Sequence, residues 1–269
     1  TYEKNGAVWL ESTKFGDDKD RVIIREDGRG TYLSADLAYH RNKLDRGFDT
    51  IINVWGSDHH GYIKRIEATI EAMGYSKKQM QVQLVQFANL LENGSKVKMS
   101  TRSGNFYTLK QLIDDIGPDA SRFYYLSKQA DQHLDFDIGV ARSNSKDNLY
   151  YYVQYAHARI CSVEKKYLEL GMSLPSKFND ADFEGCDELL QMALNAQFVI
   201  KSSGENLQPH IIVYYLRDIS QSFHQFYNSV NILNAKKSEQ NNILRTLMIV
   251  KSVIASSLEL LGIEPLDSM

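Results

Sequence analysis

The chain has 269 residues, of which 43% are hydrophobic and 24% charged, so it is long enough for a substantial core and has the composition of an ordinary globular protein. Its net charge of -3 gives no general basic field, so a nucleic-acid partner would have to be held by local patches or by base stacking. Its two cysteines, Cys161 and Cys186, indicate neither a zinc site nor a disulfide scaffold, and no run reaches transmembrane length, which favours a cytoplasmic protein without a membrane partner.

The N-terminal region predicts a hairpin followed by a helix. Two β-rich runs, residues 7–13 and 21–25, are separated by Gly16 and polar residues, as in a hairpin. The next run, residues 31–41, has leucines at helical spacing, with Ser34 as its predicted N-cap.

Two side chains of this helix are candidates for ligand binding. Tyr32 and Asp36 are four residues apart and therefore share one face of the helix. Asp36 is either a solvated carboxylate that satisfies the helix dipole or an acceptor for a cationic substrate, fixed by the neighbouring Tyr32. The residues alone leave both interpretations open.

A second candidate site follows a predicted buried strand. The apolar run at residues 50–55 leads into Gly-Ser-Asp-His-His-Gly, and a helical pattern comes next, a unit that places ligands at the carboxyl end of a parallel sheet. Gly56 would let the backbone approach a ligand, and Asp58 would take a ribose diol. His59 and His60 would donate to phosphate or substrate. In the alternative, Asp58 caps the helix and the histidines lie on the surface. Two adjacent histidines in a glycine-flanked turn favour a functional site over this alternative. They disfavour a metal site, because adjacent histidines usually point apart.

A basic loop follows a further predicted strand at residues 81–86. Residues 96–105 combine three cations, two hydroxyls close to Met99 and a glycine. Lys98 would reach phosphate oxygens, and Ser100 would donate hydrogen bonds to the same oxygens. The loop is interpreted either as a lid over a polyphosphate or as a solvated basic turn. For a short motif that stands alone, the solvated turn is favoured.

The remainder of the chain is predicted to be mainly helical. Short amphipathic helices begin at Thr108 and Pro118, and residues 134–137 are predicted to be an extended acidic connector. From about residue 145 strand patterns vanish, and long helical patterns predict a bundle. The predicted fold class is therefore α/β, with one domain at residues 1–144 and an all-helical domain at residues 145–269.

Most aromatic residues of the bundle are predicted to lie in its core. However, Tyr150, Tyr151, Tyr152 and Tyr155 exceed what one helix can bury, so some of them are expected to face outward. An exposed tyrosine face is a surface on which unpaired RNA bases stack.

Together these motifs resemble a known family. A Gly-x-Asp-His-His turn, a Lys-Met-Ser loop some forty residues later and a helical domain resemble, in this order, a class I aminoacyl-tRNA synthetase, and the details resemble arginyl-tRNA synthetase. The segments that carry the resemblance span nearly the whole chain and are residues 32–40, 55–61, 97–105, 118–123, 134–137, 151–160, 223–228 and 260–269. The resemblance implies the second half of a Rossmann-type nucleotide-binding domain, followed by an all-α anticodon-binding helical bundle.

The resemblance also implies a role for each motif. The residues implied to bind arginine are Tyr32, Asp36 and His59. Those implied to bind ATP, which would carry Mg²⁺ on its phosphates, are Gly56, Asp58, His59, His60, Lys98 and Met99. Those implied to stabilise the departing pyrophosphate are Lys98, Ser100 and Arg102. Those implied to contact the tRNA anticodon are Tyr152, Ala156, Tyr227 and Met269.

Two departures from the family pattern matter. The signature loop usually has a second lysine where this chain has Thr101, and Arg102 is the nearest cation that would replace it. The His-x-Gly-His signature of class I enzymes has no match here, and the N-terminal domain that normally precedes it is missing. The chain is therefore expected to be the C-terminal portion of the enzyme and unable to attach arginine to tRNA by itself.

The predicted function is that of an arginine–tRNA ligase, which forms arginyl-adenylate from arginine and ATP and transfers the arginine to the 3′ end of arginine tRNA. One alternative is a non-catalytic tRNA-binding adaptor that kept the fold, which the intact Tyr32, Asp36, Asp58 and Lys98 disfavour. Another is a nucleotidylyltransferase without an RNA partner, which the tyrosine-rich helical domain disfavours. The expected partners are arginine, ATP and arginine tRNA, with a monomeric state and no structural metal.

Overall fold

The computed structural model describes residues 1–97, 107–180, 186–230, 232 and 235–269. Within them the chain forms two compact units. The first unit consists of Thr1–Phe87 and Ala130–Gln132, and the second unit consists of Ala88–Gln129 and His133–Met269. None of the described helices is both long enough and apolar enough to cross a membrane.

The first unit contains two small sheets. Strands β1 (Tyr2–Lys4), β2 (Ala7–Leu10) and β3 (Arg21–Ile24) form an antiparallel sheet in that order, and β4 (Ile51–Gly56) pairs in parallel with β5 (Met80–Val85). The predicted hairpin is confirmed as β2 and β3, and both later strands are confirmed as well. Strand β1 is an addition, because a run of three residues is too short to show a periodicity.

Two helices pack against the parallel strands: α1 (Tyr32–Asp45) and α2 (Ile63–Ala72). Their apolar side chains meet those of β4 and β5 in one core, whose buried members are Leu33, Leu44, Ile51, Ile66, Ile70 and Met80. Leu33 and Leu44 of α1 are buried in this core, while Tyr32, Asp36 and Lys43 of the same helix line the cavity described below.

The predicted N-cap at Ser34 is wrong. Thr31 occupies the N-cap position of α1 in an extended conformation, and its hydroxyl donates to the carbonyl of Val22 at 3.0 Å. Ser34 therefore lies in the first turn, where its hydroxyl donates back to the carbonyl of Thr31 at 2.9 Å. These bonds join the start of α1 to β3.

The parallel pairing brings the carboxyl ends of β4 and β5 together. Gly56 pairs with Val85, and a short 3-10 helix, Ser57–Tyr62, leaves the sheet at this edge and leads into α2. The Ser57 hydroxyl donates to the side-chain oxygen of Gln86 at 2.7 Å, which fixes the turn to the end of β5. The predicted succession of strand, turn and helix is therefore confirmed.

The second unit begins with a small mixed sheet. Its strands are β6 (Ala88–Glu92), β7 (Ser95–Lys96) and β8 (Leu134–Asp137), and the helices beside them are α3 (Leu109–Ile116), α4 (Pro118–Leu126) and α5 (Ile138–Arg142). The extended conformation predicted for residues 134–137 is confirmed, but the segment is more than a connector, because it is strand β8 and pairs in parallel with β6. Leu134 and Phe136 point into the core while Asp135 faces solvent, which is the alternation of a half-buried strand.

The rest of the second unit is helical in its described part, as predicted. The helices are α6 (Leu149–Glu169), α7 (Asp187–Leu194), α8 (Ala196–Asn206), α9 (His210–Ser229) and α10 (Lys237–Leu260). They enclose one apolar core, whose fully buried large side chains include Ile160, Leu189, Leu216, Ile219, Phe223 and Leu244. A tail at residues 261–269 follows α10.

Candidate functional site

A cavity of about 640 Å³ opens in the first unit between β3, α1 and β4. We call it the substrate pocket. Three residues predicted to bind arginine, Tyr32, Asp36 and His59, all line it. The first two come from neighbouring turns of α1, as their spacing predicted, and the third comes from the turn after β4. The volume is in the range of pockets that enclose small ligands.

The Asp36 carboxylate is half-buried and held in place. The hydroxyl of Tyr62 donates to its Oδ2 atom at 2.6 Å. Burial, and then this bond to Asp36, raise the pKa of the Tyr62 phenol, so it remains a donor at neutral pH. The ring of Trp55 meets the Tyr62 ring edge-on at 5.8 Å, and the guanidinium of Arg65 lies 4.9 Å from the centre of the same ring. Asp36 is therefore a positioned acceptor, unlike a freely solvated carboxylate.

A chain of hydrogen bonds fixes the backbone below Asp36. The His40 Nδ1 donates to the Asp36 carbonyl at 2.8 Å, and the Asn53 amide donates to His40 Nε2 at 2.9 Å. The Lys43 ammonium then donates to the Asn53 side-chain oxygen at 2.9 Å. Because the carbonyl can only accept, His40 carries its proton on Nδ1 and is neutral, and burial lowers the pKa of His40 accordingly. This chain joins α1 to β4 through the neutral side chains of His40 and Asn53 and ends at the Lys43 ammonium.

The sequence analysis did not assign this chain of bonds. Two signals for it were present: His40 follows Asp36 by four residues on the same helix face, and Asn53 is a polar residue at an inward position of an apolar strand. The partners themselves follow only from the packing of α1 on β4.

The substrate pocket also has cationic walls that the sequence analysis missed. Arg21, Arg25 and Arg65 line it together with Lys43. Arg21 is neutralised, since it donates two bonds of 2.8 Å to Asp17. By contrast, Arg65 Nε is buried and has no hydrogen-bond partner among the described residues. The pocket thus offers one carboxylate and an unpaired guanidinium donor, which suits a ligand with cationic and anionic ends.

The turn after β4 is compact. A β-carbon on Gly56 would lie 2.5 Å from Asp58 Oδ1, so only glycine lets this carboxylate fold back on the strand end. Asp58 does not cap α2, because Tyr62 occupies the N-cap position without a side-chain bond. His59 Nε2 lies 3.6 Å from Asp58 Oδ2, and His60 is exposed. Of the four predicted ATP-binding residues in this turn, the structure brings only His59 to the substrate pocket.

The predicted signature loop cannot be placed beside this site. Its residues Lys98, Met99, Ser100 and Arg102 lie outside the described residues. Their predicted roles at the phosphates of ATP stay predictions.

A second cavity, of about 520 Å³, lies in the second unit between α6 and α9. We call it the aromatic groove, and its walls include Tyr151, Tyr152, Tyr155, Arg159, His224 and Gln225. The rings of Tyr151 and Tyr155 are stacked with centres 6.0 Å apart and planes 8° from parallel. Tyr155 also stacks on His224 at 5.7 Å, so the rings form a continuous π surface.

The four residues predicted to contact an anticodon do not all lie in this groove. Tyr152 lines it, and Tyr227 lies beside it, with the guanidinium of Arg159 3.8 Å from the centre of its ring. Ala156 is fully buried in the helical core and presents no surface to a ligand in this conformation. Met269 is exposed in the tail. These roles stay predictions.

The sequence analysis also missed two members of the groove, Arg159 and His224. The guanidinium of Arg159 is shared between the rings of Tyr227 and Tyr155, the latter at 5.4 Å. His224 Nε2 donates to the carbonyl of Tyr152 at 3.3 Å, and burial lowers the pKa of this histidine, so it is neutral. Arg159 follows Tyr155 by four residues, which is a readable signal, whereas His224 reaches the groove through the packing of α9 on α6.

Two family models match successive parts of the chain, and the first match extends beyond the first compact unit. Residues 1–136, just over half of the chain, match the family described as tRNA synthetases class I (R), catalytic domain. The chain belongs to the class I arginyl-tRNA synthetase family. Residues 153–269 match the DALR anticodon binding domain. The predicted family and fold class are therefore confirmed, and the predicted domain boundary at residue 144 falls between the two matches and stays a prediction.

Individual arginyl-tRNA synthetases are similar over the whole chain. The arginine–tRNA ligase of Halorhodospira halophila is 43% identical in an alignment of 274 positions that covers 100% of this chain and 47% of that protein. That of Syntrophotalea carbinolica is 42% identical over 100% of this chain and 49% of the relative. A structure assigned as arginyl-tRNA synthetase from Campylobacter jejuni is 38% identical with a TM-score of 0.89, over 100% of this chain and 59% of that one. The Thermus thermophilus enzyme, at 18% identity and a TM-score of 0.80, shares the fold. The chain spans about half the length of the curated relatives it matches.

Proposed function

We propose that the protein acts as an arginine–tRNA ligase, with the substrate pocket as the arginine site. The observation that carries this proposal is the Asp36 carboxylate, half-buried and fixed by the Tyr62 hydroxyl on a cavity wall. Its Oδ1 atom has no protein donor among the described residues and is free to accept from a ligand. A guanidinium presents a planar fork of donors, for which a fixed carboxylate is the matching acceptor.

The remaining substrate groups have partners in the same unit. The exposed ring of Tyr32 would cover the guanidinium, and the guanidinium of Arg65, which lines the pocket, would donate to an anionic group of the substrate. Gly56, Asp58 and His60 lie at the carboxyl end of β4, where ligands of parallel sheets bind, and would hold ATP together with His59. Mg²⁺ would arrive on the phosphates of ATP, and Lys98, Met99 and Ser100 would close on them.

We propose the aromatic groove as the anticodon site. Tyr155 is exposed, stacks with Tyr151 and with His224 and lies near the cation of Arg159, so this row of rings is a suitable platform for a splayed base. Tyr152 and Tyr227 would extend this platform, with Met269 at its edge. Ala156 would act indirectly, since its burial sets the position of the neighbouring tyrosines. A monomeric protein in the cytoplasm is part of the proposal.

Arginylation by the protein encoded in the full open reading frame that contains this chain tests the proposal. The expected results are arginine-dependent exchange of pyrophosphate into ATP and arginylation of arginine tRNA. Neither lysine nor citrulline should replace arginine in the exchange reaction. Binding of tRNA without arginylation would instead establish an adaptor, and adenylation of a small molecule without tRNA binding would establish a nucleotidylyltransferase. The 269-residue chain alone is expected not to arginylate tRNA.

The role of Arg102 has its own test. If Arg102 replaces the missing second lysine of the loop, Arg102→Ala lowers pyrophosphate exchange more than threefold, and adding Thr101→Lys restores it. A loss below threefold, about 0.7 kcal/mol, would show that the cation at this position is not needed.

A further inference from the structure

Three groups able to bind a metal meet on the outer side of α6. His157 and Cys161 are one helical turn apart, and Asp267 of the tail lies above them. The Cys161 Sγ lies 3.7 Å from His157 Nδ1 and 3.5 Å from Asp267 Oδ1, and the nitrogen and oxygen are 4.0 Å apart. The sequence analysis overlooked this Cys/His pair, whose four-residue spacing on a helix is a readable metal-ligand signal.

The tail is held where it brings Asp267 to this place. The side chain of Gln154 is fully buried, donates to the carbonyl of Glu264 at 2.7 Å and accepts from the amide of Leu266 at 3.0 Å. His157 Nδ1 donates to the carbonyl of Leu266 at 2.9 Å. The residue immediately before Asp267 is therefore fixed at both its amide and its carbonyl. The meeting of the three groups is a consequence of this docking.

The spacing of the three atoms is close to what a tetrahedral ion needs. Bonds of about 2.3 Å to sulfur and about 2.0 Å to nitrogen and oxygen give ligand-to-ligand distances of about 3.3 to 3.6 Å. The two distances from Cys161 already agree to about 0.2 Å. The third, from His157 to Asp267, closes with a small movement of an aspartate side chain that is mostly exposed.

We propose that His157, Cys161 and Asp267 form a binding site for a zinc-like divalent cation, with water as the fourth ligand. An open cavity of about 840 Å³ borders Cys161 and Asp267, so a hydrated ion can enter and keep a water molecule. The site does not depend on the proposed arginine–tRNA ligase activity. When occupied, it would tie the tail to α6 two residues before Met269.

A further side chain of this cavity points to the same ligand. Glu164 is 8% exposed and lines the cavity, and its Oε1 atom is buried without a hydrogen-bond partner among the described residues. Its other oxygen accepts from Lys251, which neutralises that cation. Because Lys251 is paired in this way, its charge does not oppose a cation bound beside Cys161.

Binding of the cation releases one proton, from the Cys161 thiol. Burial, and then the contact with Asp267, raise the pKa of the Cys161 thiol to about 11, so the group is a neutral thiol without a cation. Binding breaks the S–H bond and forms a sulfur–metal bond, and the proton is released to solvent. His157 exchanges the proton on Nδ1 for one on Nε2 and gives up its bond to the Leu266 carbonyl, while the tail stays docked through the bonds of Gln154 to Glu264 and Leu266.

Titration of the reduced 269-residue chain with Co²⁺ tests the site directly. We expect one equivalent to produce the near-ultraviolet absorption of a cobalt–thiolate bond, and Zn²⁺ to displace it. Cys161→Ser should abolish the band, whereas Cys186→Ala should retain it. Asp267→Asn changes an exposed side chain without risk to folding and should weaken binding about tenfold or more, while Glu259→Gln, on exposed α10 surface, should not.

Hydrogen exchange provides an independent readout, since bound Zn²⁺ should slow exchange at residues 266–269. Absence of the cobalt–thiolate band, or a band of equal strength in Cys161→Ser, would overturn the proposal. So would equal Co²⁺ affinity in the chain and in its Asp267→Asn variant.

Discussion

The substrate pocket and the aromatic groove are built by opposite means. In the pocket, Asp36 is positioned by directed hydrogen bonds from Tyr62 and His40, whose lengths are 2.6 and 2.8 Å. In the groove, Tyr155 is positioned by stacking with the rings of Tyr151 and His224. A hydrogen bond to a charged group requires a matching donor or acceptor on the ligand, whereas stacking requires only a planar ring. The pocket therefore suits selection of one small molecule, and the groove suits adaptable contact with bases.

The sharpest test of this contrast is to neutralise the pocket without changing its shape. Asp36→Asn replaces one carboxylate oxygen with an amide donor, which repels a guanidinium and cannot compensate its charge. We expect arginine affinity to fall at least 100-fold, about 2.7 kcal/mol. The measurement is the arginine dependence of pyrophosphate exchange by the protein that the full open reading frame encodes. Asp49→Asn, an exposed carboxylate shortly after α1, is the matched control and should change affinity less than twofold. Equal affinities in the two variants would place the guanidinium elsewhere.

The groove should respond to loss of a ring but not to loss of a hydroxyl. Tyr155→Ala removes the central ring of the π surface and should weaken binding of an anticodon-arm RNA about 30-fold, about 2 kcal/mol, since one stacked base contributes ~1–3 kcal/mol. Tyr155→Phe keeps the ring and should bind within twofold of the parent chain. Binding can be measured by fluorescence anisotropy with the 269-residue chain.

Phe198, an exposed aromatic residue of α8 that does not line the groove, provides the control. Phe198→Ala should leave RNA binding unchanged. If Tyr155→Phe binds as poorly as Tyr155→Ala, then the groove reads its ligand through the hydroxyl, and the contrast with the pocket fails.

The two sites also differ in how far the sequence reveals them. Tyr32 and Asp36 were predictable because a four-residue spacing on one helix is a local property. The contact of Asp36 with Tyr62 joins residues 26 positions apart, and only the packing of α1 beside the turn after β4 creates it. Strand β8 was missed for the same reason, since its partner β6 lies more than forty residues upstream.

In the groove, the excess of tyrosines on α6 predicted an outward-facing aromatic surface, and Tyr155 provides it. Which other residues join it depends on the rotation of α9 against α6, which the helical period of either sequence does not define. His224 was missed for this reason. Ala156 shows the converse limit: its position in a family pattern gave no indication that the residue is completely buried.

Removal of the hydrogen bond that positions Asp36 should have a smaller effect on arginine binding. Tyr62→Phe keeps the ring between Trp55 and Arg65 but removes the donor to the carboxylate. We expect the KM for arginine to rise about 5- to 10-fold, about 1 to 1.4 kcal/mol, with kcat unchanged, because the carboxylate keeps its charge and loses its orientation. A fall in kcat at unchanged KM would mean that Tyr62 acts on the reaction and leaves binding untouched.

The smallest effect, and the one common to both sites, is a pH dependence of stability. Burial lowers the pKa of His40 and of His224, and each histidine donates to a backbone carbonyl as a neutral ring. Below the ordinary histidine value of about 6.5 the unfolded chain binds protons that the folded chain does not. The free energy of unfolding should therefore fall as the pH is lowered from 7 to 5.5, and its slope against pH should correspond to at most one bound proton per histidine.

The two contributions can be separated because both tryptophans, Trp9 and Trp55, belong to the first unit. Urea unfolding followed by tryptophan fluorescence should lose much of its pH dependence in His40→Asn and keep it in His224→Asn. Far-ultraviolet circular dichroism, dominated by the helices of the second unit, should show the reverse. If neither variant changes the slope, both rings titrate in the folded chain as freely as in the unfolded one. The hydrogen-bonded His40 and the stacked His224 would then make no contribution to the pH dependence of stability.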